Sequence, residues 1–142
     1  HLMFKKFVVQ TRKLRYKRSA VPVSLRTRIG EIVYAEAKKI GASKPLSEED
    51  RIKEWHHWAL IDNAFPYNAA FKTHHMLIPK RVTTQKNLKS EERQELRNIL
   101  DELSDQYDCH MTNFSKKQSI KSHYHIHLLT YKDSRSDMSW QF

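Results

Sequence analysis

SHYHIHLLTY, Ser122 to Tyr131, sets three histidines at alternate positions: His123, His125 and His127. Successive side chains of an extended strand point to opposite faces. The three imidazoles therefore share one face, with neighbours about 7 Å apart along the strand. Tyr124, Ile126 and Leu128 face the other way, and a buried apolar face pins a strand's register against slippage. The stretch predicts a histidine surface on a rigid support with a core behind it.

Such a surface has three readings. The bland one is exposed histidine with no role, although histidine is a poor choice for solubility alone. The second is a metal site, because imidazole is the commonest metal-ligand side chain. The third ring then stands about 13 Å from the first by strand rise, and no Cys-x-x-Cys pair accompanies it. The third reading is attack on phosphorus. Imidazole, with an ordinary pKa near 6.5, is a neutral nucleophile at pH 7. Neighbouring rings can donate hydrogen bonds to phosphoryl oxygens as charge moves across them. This reading gives several imidazoles on one face a reason to be there.

Working outward, Cys109 to Phe114 and Ser122 to Tyr131 read as strands, as do Trp58 to Asn63 and Lys72 to Ile78, the last closed by Pro79. Phe65-Pro66-Tyr67-Asn68 reads as the loop of an antiparallel pair. Between the two strand pairs, Ser90 to Tyr107 is the clearest helix. Leu96, Ile99, Leu100 and Leu103 make its apolar stripe, and Glu91, Glu92 and Glu95 sit near its positive end. Upstream, Glu31 to Ile40 reads as a helix closed by Gly41. Ser47-Glu48-Glu49-Asp50 reads as the capped start of another, running to about His57. Phe7-Val8-Val9 reads as a short strand. This order implies α+β architecture with a meandering antiparallel sheet. Trp55 and Trp58 read as core, while Phe65 and Tyr67 can stack on a base.

The chain has 142 residues, about one domain, and 39% hydrophobic residues, enough for a modest core. Met3 reads as the natural start. No apolar run approaches the roughly 20 residues that span a bilayer, and no apolar segment with a cleavage site follows the basic N-terminus. The single cysteine, Cys109, excludes an internal disulfide and fits a reducing compartment. The expectation is a cytoplasmic protein without membrane contact. Its formal charge of +10 is concentrated at one end. Lys5, Lys6, Arg12, Lys13, Arg15, Lys17, Arg18, Arg26 and Arg28 all lie in the first 30 residues, which hold no acid. This segment is either a solvated arm or a contact for an anionic partner such as nucleic acid through residues 3–28.

The motifs resemble those of the histidine triad (HIT) family of nucleotide hydrolases and transferases. His123-Tyr124-His125-Ile126-His127-Leu128-Leu129 matches the family's His-φ-His-φ-His-φ-φ pattern, where φ is apolar. Thr73-His74-His75-Met76-Leu77-Ile78-Pro79-Lys80 is similar to the strand beside the family's active site, and Trp58 to Pro66 to the strand and loop that cradle the nucleoside. The resemblance covers about residues 55–131. It implies His125 as the nucleophile that forms a nucleotidyl-histidine intermediate and His127 as the residue that contacts phosphate and helps the leaving group depart. It implies His123 as an orienter through its carbonyl and His74 as the fourth histidine of the relay. It implies nucleotide contacts from Asn63, where many members carry an acid, and from Asn113 and Phe65. Lys116-Lys117-Gln118-Ser119-Ile120-Lys121-Ser122 lacks the glycine that members carry before the triad, so Ser119 and Ser122 both stand as phosphate contacts. Val82 replaces a further histidine, and Met138-Ser139-Trp140 is similar to a tail found in some members.

The resulting expectation is an α+β fold: an antiparallel sheet of about five strands with one long helix packed on it. Residues 1–50 form a basic and helical extension, and residues 51–142 a HIT-like catalytic domain. The implied function is nucleotidyl hydrolysis or transfer at the α-phosphate of a nucleoside phosphate derivative. The substrate classes are dinucleoside polyphosphates, phosphoramidates and adenylylated compounds, with a purine nucleotide favoured, no metal or cofactor, and a homodimeric assembly. The alternative is a non-catalytic nucleotide- or nucleic-acid-binding module that uses the basic N-terminal segment.

Overall fold

In the computed structural model, residues 21–118 and 120–139 are described. The expected strand at Phe7-Val8-Val9, most of the basic segment, Ser119 and Trp140 lie outside the described residues. Among the described residues there are two α-helices and five strands: α1 (Arg28–Lys39), β1 (Arg51–Glu54), β2 (Trp58–Asp62), β3 (Phe71–Pro79), α2 (Ser90–Leu103), β4 (Cys109–Met111) and β5 (Ile126–Tyr131). The strands form one antiparallel sheet in the order β1-β2-β3-β5-β4. The architecture is α+β, as the alternation of patterns implied.

The sheet is not a simple meander. β5 inserts between β3 and β4, so the histidine strand has a hydrogen-bonded neighbour on each side. In the register, His74 lies opposite Leu129, Met76 opposite His127, and Met111 opposite His127 from the other side. A second departure concerns Ser47 to His57. Only a 3-10 turn, Leu46–Glu48, forms there, and the chain then extends into β1. Every residue of β1 is exposed, so no apolar stripe holds a helix. Pairing with β2, continued by Asp62 N–H donating to the Asp50 carbonyl (3.2 Å), decides the conformation instead. α2 ends at Leu103 and β4 at Met111, both short of the expected bounds, and β5 begins only at Ile126.

Strand alternation divides the core between the two sheet faces. Trp58 and Leu60 of β2, Leu77 of β3, and Tyr124, Ile126 and Leu128 pack with Ile99 and Leu103 of α2. Trp58 Nε1 donates to the Glu92 carbonyl at 2.9 Å, tying the sheet to the first turns of α2. Glu92 accepts from Lys89 N–H (2.7 Å) and from Arg81 Nη2 (2.7 Å), which caps the helix and neutralises a nearly buried carboxylate. On the opposite face Ala59, Ile61, Met76 and Ile78 pack under Leu46, and Leu129 packs with Tyr67, Ala70 and Phe71 under Leu25.

α1 is fixed at both ends. Thr27 Oγ1 accepts from Gly30 N–H at 3.0 Å, and Thr27 N–H donates to Asn68 Oδ1 at 3.0 Å. A Cβ at Gly30 would stand 3.0 Å from that Asn68 oxygen, so the close approach favours glycine. At the far end Gly41 takes φ 70°. Gly41 N–H bonds to the Lys38 carbonyl and Ala42 N–H to the Ala37 carbonyl, which satisfies two carbonyls of the last turn.

Candidate active site

The face opposite α2 opens into a cavity of about 380 Å³, within the size range of small-molecule sites. His123, His125 and His127 line it from β5 and the segment before it. Asn63, Phe65 and Tyr67 line it from the β2–β3 connection, and Asn113 and Ser122 from the β4–β5 connection. His74 stands behind them on β3 and reaches the site through His127. Of the catalytic and nucleotide-contact residues expected from sequence, only Ser119 lies outside the described residues. Trp55 and Trp58 belong to the helix-side core. His75 also points to that side, where its Nδ1 meets the Tyr107 hydroxyl at 2.6 Å.

The hydrogen-bond chain fixes the proton on each ring. Tyr67 N–H donates to His74 Nδ1 at 2.8 Å, so that nitrogen carries a lone pair. The proton of a neutral His74 is then on Nε2, which lies 2.7 Å from His127 Nδ1 and donates to it. His127 therefore carries its own proton on Nε2. His125 is set separately: its Nδ1–H donates to the His123 carbonyl at 2.9 Å, leaving the Nε2 lone pair free. His123 is anchored by its Nε2, which donates to the Pro79 carbonyl at 2.8 Å. Tyr124 N–H donating to the Thr83 carbonyl at 2.7 Å holds the same segment. The ring centroids of His125 and His127 are 5.1 Å apart and their planes perpendicular.

Burial favours the neutral form of His74, His125 and His127. It pushes the His127 imidazole down to about 3, with the neighbouring His125 and Arg26 adding repulsion. It pushes His74 down to about 2, reinforced by His127 and Arg26. His125 is lowered by burial as well, and its bond to the His123 carbonyl partly opposes the shift. The amide nitrogen of Asn63 is 3.1 Å from both ring nitrogens of His74. One carbon separates those nitrogens, so a point equidistant from both at this range lies over the ring, not on either lone pair. Asn63 Oδ1 accepts from Phe65 N–H at 2.9 Å and shapes the loop.

The remaining wall comes from residues that sequence reading missed. Arg26 Nε donates to the Phe65 carbonyl at 2.8 Å, and its Nη1 lies 3.3 Å from both carboxylate oxygens of Glu31. Its guanidinium stands 4.3 Å from the Tyr34 ring centroid and 5.1 Å from that of Tyr67. Tyr34 in turn packs on Phe65 at 4.9 Å. Lys44 and Glu49 line the outer part, and burial pushes the Glu49 carboxyl above its ordinary value while Lys44 opposes the shift. No local pattern separates Arg26 from the other basic residues near it. Glu49 was legible only as a helix-start acid. Among the described residues, no three His, Cys, Asp or Glu side chains are placed to share a metal ion, and no helix is long and apolar enough to cross a membrane.

Neither a family model nor a curated protein matches the chain. Solved structures do. A histidine triad protein from Clostridium difficile aligns over 69% of this chain and 88% of its own, with 12% identity and a TM-score of 0.46. A HIT family hydrolase from Clostridium thermocellum aligns over 71% and 90%, with 20% identity and a TM-score of 0.45. A HIT family hydrolase from Legionella pneumophila aligns over 73% and 91%, with 21% identity and a TM-score of 0.45. The chain is thus structurally similar to several histidine triad proteins at low sequence identity.

Proposed function

We propose that the protein is a nucleotidyl hydrolase or transferase that cuts at the α-phosphate of a nucleoside phosphate derivative through a nucleotidyl-His125 intermediate. The observation that carries this reading is the His125 ring: its Nδ1–H is held by the His123 carbonyl and its other nitrogen is unprotonated beside the cavity. The Nε2 lone pair forms a bond to phosphorus, and the bond from phosphorus to the leaving group breaks with its electron pair on the leaving group. The Nε2–H of the neutral His127 donates a hydrogen bond to that group as its negative charge develops. Water or another acceptor hydroxyl then attacks phosphorus and yields its proton to solvent. The N–P bond breaks, and its electron pair returns to His125. The scheme requires no metal or cofactor.

Phe65 and Tyr34 offer aromatic surface for a base, which suits a purine. Ser122 and Asn113 are the phosphate-side contacts in this reading. Residues 51–142 then act as the catalytic domain, and the extension of residues 1–50 contributes Arg26 and Tyr34 to its wall.

The test is transfer of label from a radiolabelled nucleoside 5′-phosphate ester to protein, quenched in alkaline denaturant because the N–P bond is acid-labile. Wild type becomes labelled and His125→Ala does not. A His125→Ala variant that turns over substrate at the wild-type rate refutes the mechanism. The binding-only alternative draws on the basic residues of segment 3–28. It predicts no adduct, with nucleic-acid binding that falls steeply with salt and is lost on deleting that segment.

A further inference from the structure

Among the described residues, the Tyr67 hydroxyl is a buried donor without an acceptor. Its oxygen accepts from Asn113 Nδ2–H at 2.9 Å. Its other polar neighbour is His127 Nε2 at 3.4 Å. The chain from Tyr67 N–H through His74 puts a proton on that nitrogen, so His127 cannot accept from the phenol. Among the described residues nothing else receives the Tyr67 proton, yet the residue is only 6% exposed and lines the cavity. A buried donor left unmade is costly, and a bound acceptor would recover that cost.

The surroundings suit a donor more than a stacking platform. One side of the ring region is occupied by the imidazoles: centroid distances are 4.4 Å to His74 and 4.9 Å to His127, with tilts of 35° and 34°. The Arg26 cation also packs against the ring. Little of the ring is left for a base. Burial raises the phenol's pKa above its ordinary value, so it keeps its proton, while Asn113 and Arg26 pull the other way and polarise the O–H bond.

We propose that Tyr67 is a further catalytic residue, whose hydroxyl donates to a non-bridging oxygen of the phosphoryl group under attack by His125. The proposal rests on the nucleotidyl-transfer reading and adds a neutral donor beside the His127 N–H. No proton leaves Tyr67. The bond shortens as charge develops on the phosphoryl oxygen and relaxes when the product departs.

The test uses the full chain and the 4-nitrophenyl ester of adenosine 5′-monophosphate, with its two phosphorothioate diastereomers. The burst of 4-nitrophenol reports formation of the adduct. Tyr67→Phe keeps the ring and the backbone N–H and removes only the hydroxyl. It is expected to slow the burst about 100-fold, the effect of losing one oxyanion donor, with an unchanged melting temperature. One diastereomer, in which sulfur replaces the contacted oxygen, should react poorly with wild type, and that penalty should shrink in Tyr67→Phe. A merely structural tyrosine would not produce this change.

A Tyr67→Phe burst close to the wild-type rate, or an unaltered sulfur penalty, overturns the proposal. If the variant does not fold, 3-fluorotyrosine at position 67 provides a more acidic donor. A faster burst supports the proposal and an unaltered one overturns it. Wild type that forms no adduct overturns this proposal and the functional reading together. Adduct formed equally fast by both proteins overturns this proposal alone.

Discussion

Mild acid should destabilise this protein earlier and more steeply than its carboxylates require. His74 and His127 remain neutral in the folded chain down to about 2 and about 3 respectively, because burial opposes their charging. In the unfolded chain both take up protons near pH 6.5. Between these limits the unfolded state binds more protons than the folded one, so stability falls as pH falls. The loss starts as pH drops through the unfolded value. Each histidine contributes about 1.4 kcal/mol per pH unit once its unfolded form is protonated. From pH 6 to pH 5 the pair should lose about 2 kcal/mol, a sizeable part of a typical domain stability of 5–15 kcal/mol. This window lies above the main titration of the carboxylates, including Glu92, whose bonds to Arg81 hold its pKa down. The assay is urea unfolding at the two pH values, with fluorescence and circular dichroism superimposed to check two-state behaviour. The midpoint should fall by about 1 M. A midpoint that stays put would mean that the rings charge inside the folded protein. The proton assignments on which the mechanism rests would then fail.

Three further outcomes follow from the same geometry. The acid limb of the burst rate should lie below the pH at which an unperturbed imidazole titrates, because burial lowers the His125 imidazole below its ordinary value; a profile that tracks an unperturbed imidazole near 6.5 contradicts this. Ile99→Ala, at a site 1% exposed between α2 and the sheet, should cost about 3 kcal/mol in chemical denaturation. Gly41→Ala forces a Cβ into φ 70° and should cost about 1 kcal/mol in the same assay, although no atom lies within 4 Å of that Cβ, so the loss would be backbone strain and not a clash.

The parts of the fold that were legible in the sequence are those whose side chains alternate between core and cavity. His123, His125 and His127 on one side, with Tyr124, Ile126 and Leu128 on the other, define the strand face without knowledge of its neighbours. The stripe through Ile99 and Leu103 does the same for α2. β1 was misread because Arg51 to Glu54 are all exposed and leave no periodic trace, while Ser47 and the acids after it imitate a helix start. Edge pairing with β2 overrides that local signal. The insertion of β5 between β3 and β4 depends on non-local pairing and carries no sequence mark. Within the site, the histidines could be named in advance. Their proton positions could not, because these hang on a main-chain donor at Tyr67 and a carbonyl at His123. Arg26 was hidden in a basic run, and its role depends on meeting Phe65, 39 residues away.

The direction of the His74–His127 pair is dictated by a peptide N–H, a group that does not ionise in any medium a folded protein survives. The pair is therefore polarised one way by construction and cannot drift to the opposite orientation with changing conditions. Almost any amino acid at position 67 would preserve that polarity, whatever it did to the hydroxyl. Proline alone among the coded residues would delete the donor, and it would free both rings to reverse together, turning a hydrogen-bond donor at the cavity into an acceptor.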